Sequence, residues 1–415
     1  MITKTLGLLI GDEADWPSAF EALVRRFGSS IQYGGQQYQI AVERIRIHPF
    51  NLTASTSYHL IIDRLAYWHY NPREWLKKAA LVNGVYLLNN PFTFQSMEKH
   101  SAYCAMIRLG LNIPETWLIP SKTGPDTDKY RVTAGRYHDM FSLPDIANRI
   151  GYPLYMKPFD GGGWRGVSRI NNERELMQCY DDSSQMLMHL QAGLDNFDVF
   201  VRSLAIGPQL LSLRYDPGQP LHARYKVEHN FLTPDQGHEA GLITKVINAF
   251  FRWDFNSCEA ILKDGILWPI DFANACPDIA ITSLHYYFPW AIKALLAWSI
   301  FCAVTDRPMR ITMDLERYFE IADSDRSYAE KLAAYETLAD RHFETDRFEA
   351  FKATRLLGLD EAMWDLVQTP EFDDIIVNTV RTTFPSPEHE SFIAHYRGLL
   401  RHWVEAEAGQ MASRG

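Results

Sequence analysis

The chain has 415 residues, a formal net charge of −10 at neutral pH, 47% hydrophobic residues and 22% charged residues. This length exceeds what one hydrophobic core normally serves, so it predicts several packed units, and the acidic balance argues against nucleic acid as a partner. The five cysteines are widely spaced and lack any metal-ligand spacing, which predicts reduced thiols and a cytoplasmic protein.

The first hundred residues alternate short apolar runs with amphipathic segments, a rhythm that predicts a parallel α/β sheet closed by Pro91. A helix, a strand and a polar stretch that we expect to be an exposed loop follow. The predicted strands cover residues 6–10, 58–62, 85–88 and 113–119, the predicted helices cover 18–26, 72–82 and 96–109, and the predicted loop covers 121–136.

The pattern then changes to shorter strands, several of them joined as hairpins. The Asp216-Pro217-Gly218 and Asp264-Gly265 sequences supply the residues that tight turns require. The predicted elements are helices at 144–150 and 173–181 and strands at 153–158, 166–170, 199–204, 209–215, 221–228, 258–262 and 266–272.

An apolar stretch at 291–304 is interrupted by Lys293 and is shorter than the roughly 20 residues of a membrane helix, so no membrane contact is expected. Charged segments with helical periodicity follow and predict a helical C-terminal extension. These segments cover residues 315–322, 328–344, 347–356, 360–367, 374–382 and 389–407.

Residues 155–167 form the strongest local motif, a strand that ends in Lys157 and turns through four glycines into another strand. Glycines let backbone N–H groups approach a phosphate closely, and a neighbouring lysine adds a positive charge. The alternative is a β-hairpin whose glycines only permit a tight turn. Neither a Walker loop nor a strand-to-helix GxGxxG motif is present.

A second motif is the hairpin predicted around Asp264-Gly265, which carries Glu259 and Asp271 on paired strands, with Asn274 just beyond. Carboxylate and amide oxygens are the ligands that Mg²⁺ prefers, and Mn²⁺ accepts the same set. The alternative is that these acidic residues are solvated surface groups.

The order and spacing of these motifs resemble the ATP-grasp fold, which biotin carboxylase, D-alanine–D-alanine ligase and many carboxylate–amine ligases share. The resemblance covers roughly residues 1–305. It implies an α/β (α+β) chain with an N-terminal pre-ATP-grasp domain and two ATP-grasp subdomains before the helical extension. The expected domains are residues 1–93, 94–203, 204–306 and 307–415.

The resemblance also implies roles for individual residues. Lys99, which follows Asn90-Pro91, matches a lysine that contacts the nucleotide phosphates, as does Lys157. The glycine turn matches a flexible lid, residues 199–204 match the connector that binds adenine, and Gln209 stands where a ribose-binding carboxylate is usual. The implied ATP-binding residues are Lys99, Lys157, Gly161, Gly162, Gly163, Gly166, Arg202, Ser203, Leu204 and Gln209, and the implied metal ligands are Glu259, Asp271 and Asn274.

The family resemblance implies a ligase that uses ATP and Mg²⁺ to activate a carboxylate as an acylphosphate for attack by an amine. The expected catalytic cations are Arg165, Arg214, Arg224 and Lys226. Two alternatives stay open: a kinase with the same fold, and a nucleotide-binding scaffold without catalysis. The helical extension could be a lid or the contact face of a homodimer.

Overall fold

The N-terminal part of the chain forms a five-stranded sheet. The structure is a computed structural model that describes residues 1–28, 30–93, 98–137, 141–161, 164–274 and 276–414. The strands lie in the order β2-β3-β1-β4-β5, and all neighbours are parallel except β2 and β3. Their bounds are β1 Ile2–Leu9, β2 Ser30–Tyr33, β3 Gln36–Arg44, β4 Tyr58–Asp63 and β5 Tyr86–Leu88.

This sheet is buried on both faces, with helices α1 (Asp15–Phe27) and α2 (Tyr70–Asn83) on opposite sides. Alternate residues of β4 point to different cores, because side chains alternate along a strand. Leu60 packs with α1, and Ile61 packs with α2. The parallel sheet is confirmed, although the β2–β3 hairpin was not predicted because its glutamine-rich strands lack a run of apolar residues.

The next unit contains a four-stranded antiparallel sheet in the order β6-β9-β7-β8. Helices α5 and α6 pack against the apolar residues of this sheet. The polar stretch at 121–136 was expected to be a loop but contains helix α4, a correction to the sequence prediction. The elements are α3 Lys99–Arg108, β6 Thr116–Ile119, α4 Asp128–Tyr137, α5 Leu143–Ile150, β7 Leu154–Pro158, β8 Ser168–Ile170, α6 Glu173–Ser183 and β9 Met188–Ala192.

A second antiparallel sheet follows, in the order β12-β11-β10-β13-β14, and helix α7 packs on one of its faces. The strand predicted at 221–228 is reduced to β12 and a short 3₁₀ turn, Leu221–Ala223. The expected domain boundary at residue 203 lies inside β10, so the chain passes between the two sheets at residues 193–198. The elements are β10 Val199–Ile206, β11 Gln209–Tyr215, β12 Tyr225–Lys226, α7 Pro234–Phe251, β13 Phe255–Lys263 and β14 Ile266–Asn274.

The helical extension is confirmed, and it begins beyond a central buried helix, α9. This helix packs against β1 and β4 of the N-terminal sheet and against β10 of the five-stranded antiparallel sheet, and so joins these two sheets. The helical stretch Ile281–Val304 is long and apolar enough to cross a membrane, but 89% of its most apolar window is buried, as in a core helix. The helices are α8 Ile281–Leu284, α9 Phe288–Val304, α10 Leu315–Ala322, α11 Tyr328–Phe343, α12 Thr345–Arg355, α13 Leu359–Val367, α14 Pro370–Thr383 and α15 His389–Arg414.

Candidate active site

A cleft of about 1040 Å³ lies between the two antiparallel sheets and is bordered by the loop that follows β4. This volume is at the upper end of the range for small-molecule sites. Three groups of side chains line it: an apolar group, a charged group and an aromatic group. The apolar group consists of Leu194, Phe197, Phe200, Ile261 and Ile270. The charged group consists of Lys99, Lys157, Arg202, Glu259 and Asp271. The aromatic group consists of Tyr67, Trp68, Tyr70 and Trp164.

Lys157 lies near the end of β7 and projects into the charged group. Its side chain is buried, and its Nζ donates hydrogen bonds to Gln191 Oε1 at 2.7 Å and to Ile270 O at 3.4 Å. Burial lowers the pKa of Lys157 to about 8, although the nearby carboxylate of Asp271 opposes this shift. The ammonium group therefore lies in a poorly solvated position, where it can pair with an anion.

Lys99 joins the start of α3 to the glycine turn and to the acidic hairpin. Its Nζ donates to Gly161 O at 2.8 Å and forms an ion pair with Asp271 at 3.1 Å. Its backbone N–H donates to Phe159 O at 2.7 Å. Lys99 and Lys157 come from different elements and both lie near the Asp271 carboxylate.

Glu259 and Asp271 are directly opposite each other on β13 and β14. The turn at Asp264-Gly265 has positive φ at both residues, 52° and 76°, as a two-residue hairpin requires. Continuous pairing from this turn would place Glu259 opposite Ile270. Register shifts on both sides of Glu259 instead bring it opposite Asp271, so both carboxylates face the cleft.

Arg202 completes the charged group from β10, where it is paired with Glu259. Its Nη1 lies 3.4 Å from the Glu259 carboxylate, and its guanidinium stacks over the rings of Tyr215 and Tyr225. Burial raises the pKa of Glu259, and Arg202 opposes that shift. The cluster thus balances partly buried carboxylates against buried cations.

Asn274 lies at the end of β14, opposite Ser257. Its amide is best satisfied when the oxygen faces Arg202, with Nη2 at 2.9 Å. In the described part of the chain, no group of three or more His, Cys, Asp or Glu side chains is arranged to hold a metal ion. Two opposed carboxylates still match Mg²⁺, which usually takes one or two carboxylates and completes its shell with phosphate and water.

The structure brings only some of the predicted site residues to the cleft. Gly162 and Gly163 are outside the described residues. The predicted residues that line the cleft are Lys99, Lys157, Gly161, Arg165, Arg202, Arg224, Glu259, Asp271 and Asn274, whereas Gly166, Ser203, Leu204, Gln209, Arg214 and Lys226 are not among the described lining residues.

The residues that do not line the cleft are engaged elsewhere. Ser203 points to the other face of β10 and bonds the hydroxyl of Ser212, and Leu204 is part of the core. Gln209 donates to the backbone at Ile206 and Ala294, and Arg214 pairs with a surface carboxylate. The adenine-binding role of residues 199–204 stays a prediction: this segment supplies Phe200 and Arg202 to the cleft, and the preceding segment at 193–198 adds Leu194 and Phe197.

The sequence prediction missed Gln191 and the aromatic group. Gln191 lies on β9, a strand that was not predicted, and its amide also donates to Thr116 Oγ1 at 2.8 Å. A signal for the aromatic group was available, because Tyr67, Trp68 and Tyr70 follow β4. Ligands of open α/β sheets bind beyond the carboxyl ends of the strands.

No protein-family model matches this chain, and no curated protein matches it. Similar solved structures include a RimK-domain ATP-grasp protein from Sphaerobacter thermophilus, with 12% identity and a TM-score of 0.46 over 70% of this chain and 97% of that one. Another is the D-alanine–D-alanine ligase from Bacillus anthracis complexed with ATP, with 11% identity and a TM-score of 0.48 over 73% and 98% of the two chains.

A third similar structure is a macrocyclase from Microcystis aeruginosa bound with its precursor peptide, with 11% identity and a TM-score of 0.47 over 73% of this chain and all of that one. With TM-scores below 0.5, the fold assignment depends on this chain's own topology. Its parallel N-terminal sheet precedes two antiparallel subdomains that enclose a cleft with two lysines and an acidic hairpin. This order of units is the one that the resemblance of the sequence to the ATP-grasp fold predicted.

Proposed function

We propose that the protein is an ATP- and Mg²⁺-dependent ligase that activates a carboxylate as an acylphosphate, which an amine then attacks with release of ADP and phosphate. The observation that carries this proposal is the buried charge cluster in the cleft. Lys99, Lys157 and Arg202 come from three elements and converge with Glu259 and Asp271. Phosphoryl transfer depends mainly on such positioned charges.

The paired carboxylates fit a divalent cation. Glu259 and Asp271 supply hard oxygen atoms on one face of the hairpin and would hold Mg²⁺. Bound there, the ion would neutralise charge on the phosphate oxygens. As the structure stands, Lys99 compensates Asp271 and Arg202 compensates Glu259, so these cations are already close to where phosphates would bind.

The cations would orient and stabilise the reacting phosphoryl group. Lys157 and Lys99 would bind the phosphates of ATP before transfer, since each presents an ammonium group from the unit that contains the four-stranded sheet. Arg165, Arg202 and Arg224 also line the cleft and suit the charge that develops during transfer. Arg224 donates to Gln219 O at 2.9 Å, which holds its guanidinium near the ring of Tyr215.

The two steps balance without a further reactant. A carboxylate oxygen of the substrate bonds to the γ-phosphorus as the bond to ADP breaks. The amine nitrogen then bonds to the acyl carbon, the bond from that carbon to the phosphate oxygen breaks, and the amine proton passes to solvent.

The apolar residues Leu194, Phe197 and Phe200 offer a surface for the adenine ring, since they line the same cleft as the charged group.

The test is ATP consumption with Mg²⁺ against carboxylates offered with and without amines, with ADP and AMP separated. A ligase forms ADP and phosphate only with a suitable carboxylate, and hydroxylamine in place of the amine traps the acylphosphate as a hydroxamate. A stable phosphorylated product would instead show a kinase. Folded protein that neither binds nor hydrolyses ATP would refute the proposal.

A matched pair of variants ties the activity to the cleft. Lys157→Ala removes the buried ammonium group, whereas Lys129→Ala changes an exposed lysine on α4. We expect loss of ADP formation of about 100-fold or more in the first variant and no change in the second, since one positioned charge is commonly worth that factor. Circular dichroism checks that both variants are folded.

A further inference from the structure

Besides Phe197 of the apolar group, four aromatic side chains line the cleft and remain exposed to solvent. Tyr67, Trp68 and Tyr70 follow β4 and are 45%, 59% and 73% exposed, and Trp164 from the glycine-rich segment is 38% exposed. Exposed apolar groups that lie together in a concave site commonly mark a binding surface. The charged and apolar groups of the cleft already account for a nucleotide, but these four rings have no such role.

The segment that carries three of these rings, from the end of β4 to the first residue of α2, is fixed by hydrogen bonds. Asp63 Oδ1 accepts hydrogen bonds from the backbone N–H groups of Leu65 and Ala66 at 2.9 and 3.0 Å. Arg73 donates to the carbonyl oxygens of Ala66 and Tyr67 at 2.6 and 2.7 Å. A preorganised loop avoids the entropic cost of ordering rings when a ligand binds, which favours affinity.

The aromatic group lines the same cleft as the charged group. Tyr67 shares the lining of the cleft with Arg165, the lid arginine, and with Cys276, which follows the acidic hairpin. Arg73 lies over the Tyr70 ring, with its guanidinium carbon 5.1 Å from the ring centroid. A substrate whose carboxylate reaches the phosphate-binding cations would therefore have the rest of its structure among these rings.

We propose that the carboxylate substrate carries an aromatic ring that stacks on Trp68 and Tyr70. This inference rests on the proposed ligase function and adds the chemical class of its substrate. Aromatic pairs prefer offset or edge-to-face contact and gain affinity beyond the area they bury. A saturated ring of the same size buries a similar area but lacks this interaction, so the pair of ligands isolates the aromatic contribution.

The experiment titrates the full chain with 3-phenylpropionate, phenylacetate and indole-3-acetate by calorimetry, in the presence of ADP and Mg²⁺. The first two are compared with cyclohexylpropionate and cyclohexylacetate. We expect at least one of the two phenyl acids to bind about threefold to tenfold more tightly than its saturated counterpart. Failure of both phenyl acids to show this preference overturns the inference.

Substitutions of Trp68 test whether this ring produces the preference for aromatic acids. Trp68→Ala should weaken aromatic binding about tenfold, and Trp68→Phe should restore most of it because a ring is retained. Leu52→Ala is the matched control, since Leu52 is similarly exposed in the same domain but is not among the described residues that line the cleft. Equal aromatic affinity in the parent and in Trp68→Ala would overturn the inference even if a preference exists.

The ADP titration on the same samples separates the two proposals. Absence of ADP binding refutes the ligase proposal. Normal ADP binding in a protein that shows no aromatic preference refutes the substrate class alone. If Trp68→Ala does not fold, Trp68→Phe and Tyr70→Ala provide the comparison, because Tyr70 is the most exposed of the rings.

Discussion

Replacing Lys157 with methionine removes a buried ammonium group but keeps a side chain of similar length. Burial lowers the pKa of this lysine from 10.5 to about 8. At 1.36 kcal/mol for each pKa unit, the charged form therefore costs about 3 kcal/mol of folding free energy at pH 7. The variant also loses the hydrogen bond from the ammonium group to Gln191, which is worth about 2 kcal/mol because the donor is charged. We expect a net stabilisation of about 1 kcal/mol from these two terms.

The pH dependence follows from the direction of the shift. Between pH 8 and pH 10.5 the unfolded lysine keeps its proton while the folded one loses it. The unfolded state then binds more protons, so the stability of the parent rises with pH over this interval. The advantage of Lys157→Met is therefore full below pH 8 and declines as the pH rises towards 10.5.

Thermal unfolding of the parent, Lys157→Met and Lys129→Met between pH 6.5 and pH 10 measures this effect. Lys129 is exposed on α4, so its substitution should change the melting temperature little at any pH. We also expect Lys157→Met to lose ATP turnover, because the ammonium group that lowers stability is the one proposed to bind phosphate, and such trade-offs are common at active sites. A variant less stable than the parent at pH 7, or with an advantage independent of pH, would refute the reasoning.

Three further predictions concern activity, measured as steady-state ADP formation. Asp271→Asn should lower turnover about 100-fold. Asp264→Asn in the turn of the same hairpin should leave turnover unchanged, because Asn tolerates the positive φ at that position. Equal effects of the two substitutions would contradict the metal role of Asp271. Arg202→Met should be far more damaging than Arg214→Met, whose side chain pairs with a surface carboxylate, and the reverse order would exclude Arg202. His222→Ala should raise KM for the acceptor more than for ATP, because its ring packs on α15 and holds the 3₁₀ turn beside the cleft; an unchanged KM would contradict this.

Much of the fold could be predicted because its signals are local. Helices of the C-terminal extension have clear apolar periodicity, and the observed bounds of α10, Leu315–Ala322, equal the predicted ones. Strand β11, Gln209–Tyr215, was likewise predicted without error. Helix α4 and the β2–β3 hairpin were missed, since their residues are mostly polar.

The candidate site was predictable only where a motif is contiguous. Lys157 and the glycine turn are adjacent in the chain, so their association needs no tertiary information. The pairing of Lys157 with Gln191, by contrast, joins β7 to β9 and depends on how the sheet is assembled. Gln209 stood at a plausible sequence position, yet its amide bonds to the backbone at Ala294 on α9.

The acidic hairpin shows most clearly what each level decides. A tight turn at Asp264-Gly265 between two strands is predictable from the local sequence, because few residues adopt positive φ without strain. The exact residue opposite Glu259 depends on how the folded sheet pairs its strands. Regular pairing would have placed Ile270 there, and the register shift substitutes Asp271. A one-residue change in register moves a side chain to the other face of a sheet, and this change is what brings both carboxylates to the cleft.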